Sequence, residues 1–330
     1  MGDFNARPDC RRVAADEIRY GSSCIGGSLL PRDSMKSPAV LALMAMCCGW
    51  ISTSAVSQAP PDIAVVVTEI GERVAWYYRR AQSLVCLEHS IVQPISRNWS
   101  SEGLARTVES ELRVESDGSD GARLPAARVI RDVRRINGRA PNQRDKTDRS
   151  GCTDPRPLSH EPLAFLLPAH RDGYRFTSIR DGEENDGAAL IVDYVSTIRT
   201  SRPELIEDEA GHDDCFDWAG PVAMRGRVWV DASTYDVLRV ERRIAGPVDV
   251  RVPWTLQRRY LLPSWIVVER DDVTIRYRPV TFTDPHEVIL LPESSESLTL
   301  IRAGLQSVRR SERFSSYRRF LTGGRIVTGR

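Results

Sequence analysis

The run His212–Cys215 (His-Asp-Asp-Cys) is the densest group of side chains that could do chemistry, because it offers N, O and S ligands to a metal ion. The sequence has no second His or Cys pair nearby, and a disulfide at Cys215 would consume its thiolate. The acidic stretch from Asp181 to Asp186 could suit calcium, but its spacing is not that of an EF-hand loop. We therefore predict no metal site and no cofactor.

Catalysis by a nucleophile would need a hydroxyl or thiol beside a base. The chain contains no G-x-S-x-G, H-E-x-x-H, P-loop or G-x-G-x-x-G motif. A hydrolase would have to assemble its site from distant residues such as His170, Asp172 and Ser201. We predict no catalytic residue and keep a hydrolase as the least favoured alternative.

Aromatic side chains form the other candidate group, since they line many pockets for apolar molecules. The candidates for ligand binding are Trp229, Trp254, Trp265 and Tyr277. The same side chains could instead fill the core of a sheet. If the sheet bends into a half-barrel, core and pocket are one surface, and the sequence does not separate them.

Charge and cysteine usage narrow the classes of partner. The 46 Lys and Arg residues balance 45 Asp and Glu residues, which argues against a nucleic-acid surface. Arginine clusters such as the one at positions 128, 131, 134 and 135 are expected to form cross-strand ion pairs on a solvated face. Cys152 and Cys215 lie in polar stretches, and in an exported protein they predict a disulfide. Cys86 is expected to pack as a small apolar side chain.

A secretory signal peptide is predicted over residues 35–59. Lys36 supplies the charged start, residues 39–51 are almost entirely apolar, and small residues follow. The apolar segment is too short to span a bilayer. Residues 1–34 are expected to carry no packed structure, and they represent either an overlong leader or an incorrect start codon. The body, residues 60–330, is then a single β-rich domain in the periplasm or outside the cell, with no transmembrane span.

Hydrophobic periodicity predicts the elements of that body. Apolar residues at three-and-four spacing predict an amphipathic helix over 60–87, with Asp62 as its N-cap, and a short second helix is expected over 159–167. Alternation at period two predicts strands, at residues 107–114, 127–136, 174–180, 188–200, 226–231, 237–244, 248–252, 255–260, 265–270, 273–282 and 311–321. Residues 201–222 are expected to form a loop. The predicted fold class is α+β: a large, curved antiparallel sheet, a half-barrel-like meander, with both helices packed on it.

Three stretches, residues 129–138, 215–220 with 226–239, and 314–322, resemble a family of exported bacterial β-rich proteins to which no activity is assigned. The architecture resembles the lipoprotein-carrier (LolA/LolB-like) half-barrel, whose members hold acyl chains or sense envelope stress. The export signal, the curled meander and the absence of catalytic motifs together predict a non-enzymatic binding protein of the cell envelope, with an apolar or lipid-like ligand on the concave face. The resemblance in fold does not fix the function by itself. It carries over no binding residue. The alternative is a structural module that docks to another envelope protein through an edge strand or the Arg-rich C-terminus.

Overall fold

The computed structural model describes residues 62–81, 83–116, 127–142, 162–207, 216–321 and 325–328. The chain divides into the units Met1–Ser57 and Gln58–Arg330, and every described residue belongs to the second. The predicted signal peptide, the His212–Cys215 run and the predicted Cys152–Cys215 disulfide therefore lie outside the described residues.

The first element is helix α1, Ile63–Arg80. The carboxylate of Asp62 accepts a hydrogen bond from the Ala64 amide at 2.9 Å, which caps the first turn as predicted. Val66, Val67, Ile70 and Val74 form the buried stripe, and Arg73, which lies beside that stripe, forms an ion pair with Asp236. The helix ends at Arg80, seven residues before the predicted end at residue 87.

Fourteen strands of the described residues make up one sheet. They are β1 Leu84–Ile95, β2 Arg106–Ser116, β3 Ala127–Ile136, β4 Tyr174–Glu184, β5 Gly187–Ser196, β6 Glu204–Glu207, β7 Phe216–Ala219, β8 Met224–Asp231, β9 Val237–Ile244, β10 Val248–Arg251, β11 Trp265–Thr283, β12 His286–Arg302, β13 Ser307–Leu321 and β14 Arg325–Thr328. The main path runs β3-β2-β1-β13-β12-β11-β9-β8-β5-β4, so the sheet is open, with β3 and β4 at its ends. The pairs are antiparallel, except for a single parallel bridge between β6 and β10.

Several local predictions were wrong. Residues 84–87 do not extend the helix but begin strand β1. The residues of β1 alternate between buried and exposed from Cys86 to Val92. Residues 255–260 lie in a second helix, α2, Trp254–Tyr260, which begins after Pro253. The described part of the predicted helix at 159–167 is a 3₁₀ turn, Ala164–Leu166. Strand β12 was missed because its centre, Glu293–Ser297, is polar, and the predicted loop at 201–222 contains β6 and β7.

The inner face of the sheet carries the core. The α1 stripe packs on alternating residues of β5, β8, β9 and β11, among them Val192, Val228, Val240, Ile275 and Tyr277. Tyr77 of α1 also packs on a second cluster that contains residues of β1, β11, β12 and β13. Leu256 of α2 packs in a third cluster with residues of β6, β7, β9, β10 and β11. The α+β prediction of a large curved antiparallel sheet with two helices on it is therefore confirmed, although the second helix is α2.

Within the described residues, neither helix has the length and apolar character needed to cross a membrane.

Candidate ligand-binding site

A cavity of about 750 Å³ lies on the inner face, beside the core that α1 covers. Val240 and Ile275 belong both to that core and to the cavity wall, so the two regions adjoin. The volume falls in the range of about 300–1,000 Å³ that small-molecule sites occupy. The inner face is therefore filled on one side and hollow on the other.

One wall of the cavity is apolar. It is built by β7, α2 and the segments that flank them, through Phe216, Trp218, Val222, Tyr260 and Leu262. Phe216 and Tyr260 pack edge to face, with ring centroids 5.0 Å apart. These contacts hold β7 against α2, and the wall gives an apolar ligand a large surface to contact.

A second wall of the cavity is polar, and two neighbouring strands supply it. Ser295, Ser297 and Thr299 alternate along β12, so their side chains share the inner face. Ser295 pairs with Glu312 and Ser297 with Arg310 across the β12–β13 ladder, and both β13 residues line the cavity. The cavity lining thus combines hydroxyl and charged groups with aromatic and aliphatic ones, a composition that suits an amphipathic molecule.

Glu312 is a buried carboxyl group in this wall, and its pKa differs from that of a carboxyl group in water. Burial, followed by the negative charge of Glu88, raises its pKa to about 7, against a hydrogen bond from Ser295. Glu88 is itself buried and accepts two hydrogen bonds from Arg131, at 2.7 and 2.8 Å. Near neutral pH Glu312 is therefore partly protonated and can donate a hydrogen bond as well as accept one.

Two of the four aromatic candidates are buried but do not line the cavity. Tyr277 is 1% exposed and lies in the α1 core, with its ring centroid 6.4 Å from that of Tyr77. Trp229 is 6% exposed and lies on the opposite face from Val228, beneath the Arg239 guanidinium at 4.3 Å from the ring centroid. Both side chains serve the packing of the sheet.

The other two candidates are exposed. Trp254 is 66% and Trp265 43% exposed, at the start of α2 and the start of β11 respectively. Neither lines the cavity. Ligand binding by these four residues stays a prediction, and other residues form the wall of this cavity. Sequence reasoning missed it because β12, which supplies the three hydroxyls, was not predicted as a strand.

The structure also describes the residues considered for catalysis and the cysteine that was expected to be buried. His170 and Asp172 lie at a 3₁₀ turn and Ser201 in the segment before β6, and no hydrogen bond joins the side chains of these three described residues. Within the part of the chain that is described, no group of three or more His, Cys, Asp or Glu side chains could hold a metal ion. Cys86 is buried among apolar residues, as predicted.

No protein-family model matches the chain, and no curated protein matches it. Two solved structures are similar in fold. An outer membrane lipoprotein-sorting protein domain from Vibrio parahaemolyticus is 13% identical, with a TM-score of 0.33, over 78% of this chain and 93% of that one. A LolA superfamily protein from Nitrosomonas europaea is 10% identical, with a TM-score of 0.28, over 76% of this chain and 92% of that one. At such low identities and TM-scores, neither similarity carries an argument about function.

Proposed function

We propose that the protein is an exported, non-enzymatic binding protein of the cell envelope that holds an apolar or lipid-like ligand on the inner face of its sheet. The observation that carries this proposal is the cavity of about 750 Å³, with an apolar wall of Phe216, Trp218 and Leu262. When a ligand displaces water from an apolar surface of this kind, the burial of that surface makes a favourable contribution to the binding free energy.

The rest of the proposal depends on the sequence. Export of residues 60–330 to the periplasm or beyond depends on the predicted leader at 35–59. The non-enzymatic role is supported by the lack of any recognised catalytic motif in the sequence. The polar wall adds a second requirement for the ligand, because the Ser297 hydroxyl lines the cavity and needs a hydrogen-bond partner that a pure hydrocarbon does not offer.

The direct test is native mass spectrometry of the protein purified from its own cells, together with organic extraction and lipid analysis. We expect an adduct of lipid mass that extraction removes. Binding of the neutral fluorescent probe N-phenyl-1-naphthylamine to the extracted protein should then rise. A protein that carries no adduct and does not bind the probe would contradict the proposal.

A docking module of the envelope is the second candidate function, and exposed apolar side chains favour it. Trp254, Trp265 and Leu261, the last 90% exposed, cluster in sequence around α2. Such side chains are typical of surfaces that contact another protein. Crosslinking from position 261 in intact cells would yield a defined protein adduct if this function holds, and lipid extraction would not change the yield.

A further inference from the structure

Arg242 occupies an unusual position on the inner face. It lies in β9 between Val240, which packs in the α1 core, and Ile244, which packs in the cluster around α2. Its neighbours across the ladders are Val273 of β11 and Gly226 of β8. Arg242 thus places a positive charge in the cavity wall between apolar groups.

Other arginines of the sheet have carboxylate partners. Arg131 binds Glu88, Arg227 binds Asp193 at 2.8 Å, and Arg318 binds Glu111 at 2.9 Å. Among the described residues, no carboxylate forms an ion pair with Arg242. A guanidinium in the wall of an apolar cavity is stabilised by an anion that accepts its N–H groups, preferably in bidentate geometry.

The acidic residues of the cavity are engaged elsewhere. Asp271 accepts a hydrogen bond from the Thr299 hydroxyl at 3.1 Å, and Asp217 accepts one from the Trp218 amide at 2.8 Å. Glu312 lies on β13, and two strands, β12 and β11, separate it from β9. At β9 the cavity wall therefore carries the guanidinium of Arg242, and none of the described acidic residues that line the cavity forms an ion pair with it.

We infer that Arg242 binds the anionic headgroup, carboxylate or phosphate, of an amphiphile whose acyl chain occupies the cavity. The inference rests on the proposed function and adds the class of ligand. Arg242 is exposed, so its guanidinium reaches solvent and the headgroup stays partly hydrated. The tail then contacts Phe216, Trp218 and Leu262 on the apolar wall. Tyr194 lies beside this part of β9, because its hydroxyl donates to the carbonyl of Glu241, the residue before Arg242, at 3.1 Å.

The test measures displacement of N-phenyl-1-naphthylamine by three ligands with the same acyl chain: oleate, oleoyl lysophosphatidate and the neutral oleyl alcohol. The native protein should bind at least one of the two anions about tenfold more tightly than the alcohol. Arg242→Gln should remove that advantage and leave alcohol binding unchanged. The anion that loses more affinity identifies the source, carboxylate or phosphate.

Arg243→Gln is the matched control, because Arg243 is the next residue of β9, is exposed, and faces the other side of the sheet. It should leave all three affinities unchanged. On the native protein alone, the advantage of the anions should shrink as salt rises, since an exposed charge is screened.

The outcomes separate the two proposals. If the alcohol binds but neither anion binds better, or if Arg242→Gln retains the advantage, the headgroup inference is wrong and the proposed function stands. If the probe binds but none of the three ligands displaces it, the headgroup inference is wrong and the proposed function stands. If the probe does not bind and the purified protein carries no lipid adduct, both are wrong.

Discussion

The two sides of the inner face are built by the same alternation of residues, yet one is filled and the other is hollow. On the filled side, α1 presses Val67, Ile70 and Val74 onto β5, β8, β9 and β11. On the hollow side, residues of β9, β11, β12 and β13 line a cavity of about 750 Å³. Because both sides belong to one sheet, the strand pattern does not decide which becomes core. Which side is filled depends on where helix α1 lies on the sheet.

The largest expected effect is on stability at the filled side. Ile70→Ala removes a fully buried side chain and should lower the free energy of unfolding by about 2–5 kcal/mol. Val222→Ala, on the partly buried cavity wall, should cost less than about 1 kcal/mol, because water already reaches that side chain. Urea denaturation of the two variants measures the difference. Equal losses would mean that the two sides are packed alike.

The pH dependence of stability should reveal Glu312 at the polar wall. Its pKa is raised from 4.5 to about 7 in the folded protein, so between these values the folded state binds more protons than the unfolded state. Stability from this group should therefore be complete below about pH 4.5 and decline as pH rises to about 7, by on the order of 2–3 kcal/mol. Urea denaturation at several pH values, with Glu312→Gln as the reference, isolates the contribution of this carboxyl to the free energy of unfolding. An identical pH slope in both proteins would contradict the burial of this carboxyl.

Filling the hollow side should separate binding from stability. Ser297→Phe places a large side chain in the cavity, so affinity for the neutral probe should fall by about tenfold or more. Stability should change by less than about 1 kcal/mol, because the space is empty of other side chains. Probe fluorescence titration and urea denaturation measure the two effects. Unchanged probe affinity would show that the probe binds elsewhere.

The smallest effect is expected at a polar atom inside the filled side. The Tyr277 hydroxyl is buried and has no hydrogen-bond partner among the described residues. Tyr277→Phe removes that group without changing the ring, so the free energy of unfolding should rise by about 1 kcal/mol. Tyr194→Phe is the matched control, because the Tyr194 hydroxyl donates to the Glu241 carbonyl at 3.1 Å and its loss should destabilise. Thermal denaturation distinguishes the two signs.

Side-chain chemistry was predicted less well than the fold class, for reasons visible at particular residues. Arg131 belongs to a cluster that was expected on the solvated face, but it binds the buried Glu88 on the inner face. The two-residue period of a strand sets which residues share a face, and the register shift between Glu109 and Ser110 in the β2–β3 pairing alters that assignment. Tyr277 and Trp229 were predicted as ligand contacts because aromatic character is the same in a core and in a pocket.

Local interactions explain what could be predicted from the sequence alone. The Asp62 cap, the α1 stripe and the alternation in most strands depend on residues a few positions apart, so the chain carries the α+β class and the packing of α1 on the sheet. The cavity depends on contacts between residues far apart, such as Phe216 with Tyr260 and Ser295 with Glu312. Only the tertiary structure brings these together, because the space between elements is set by long-range pairing and by the extent of the sheet that α1 covers.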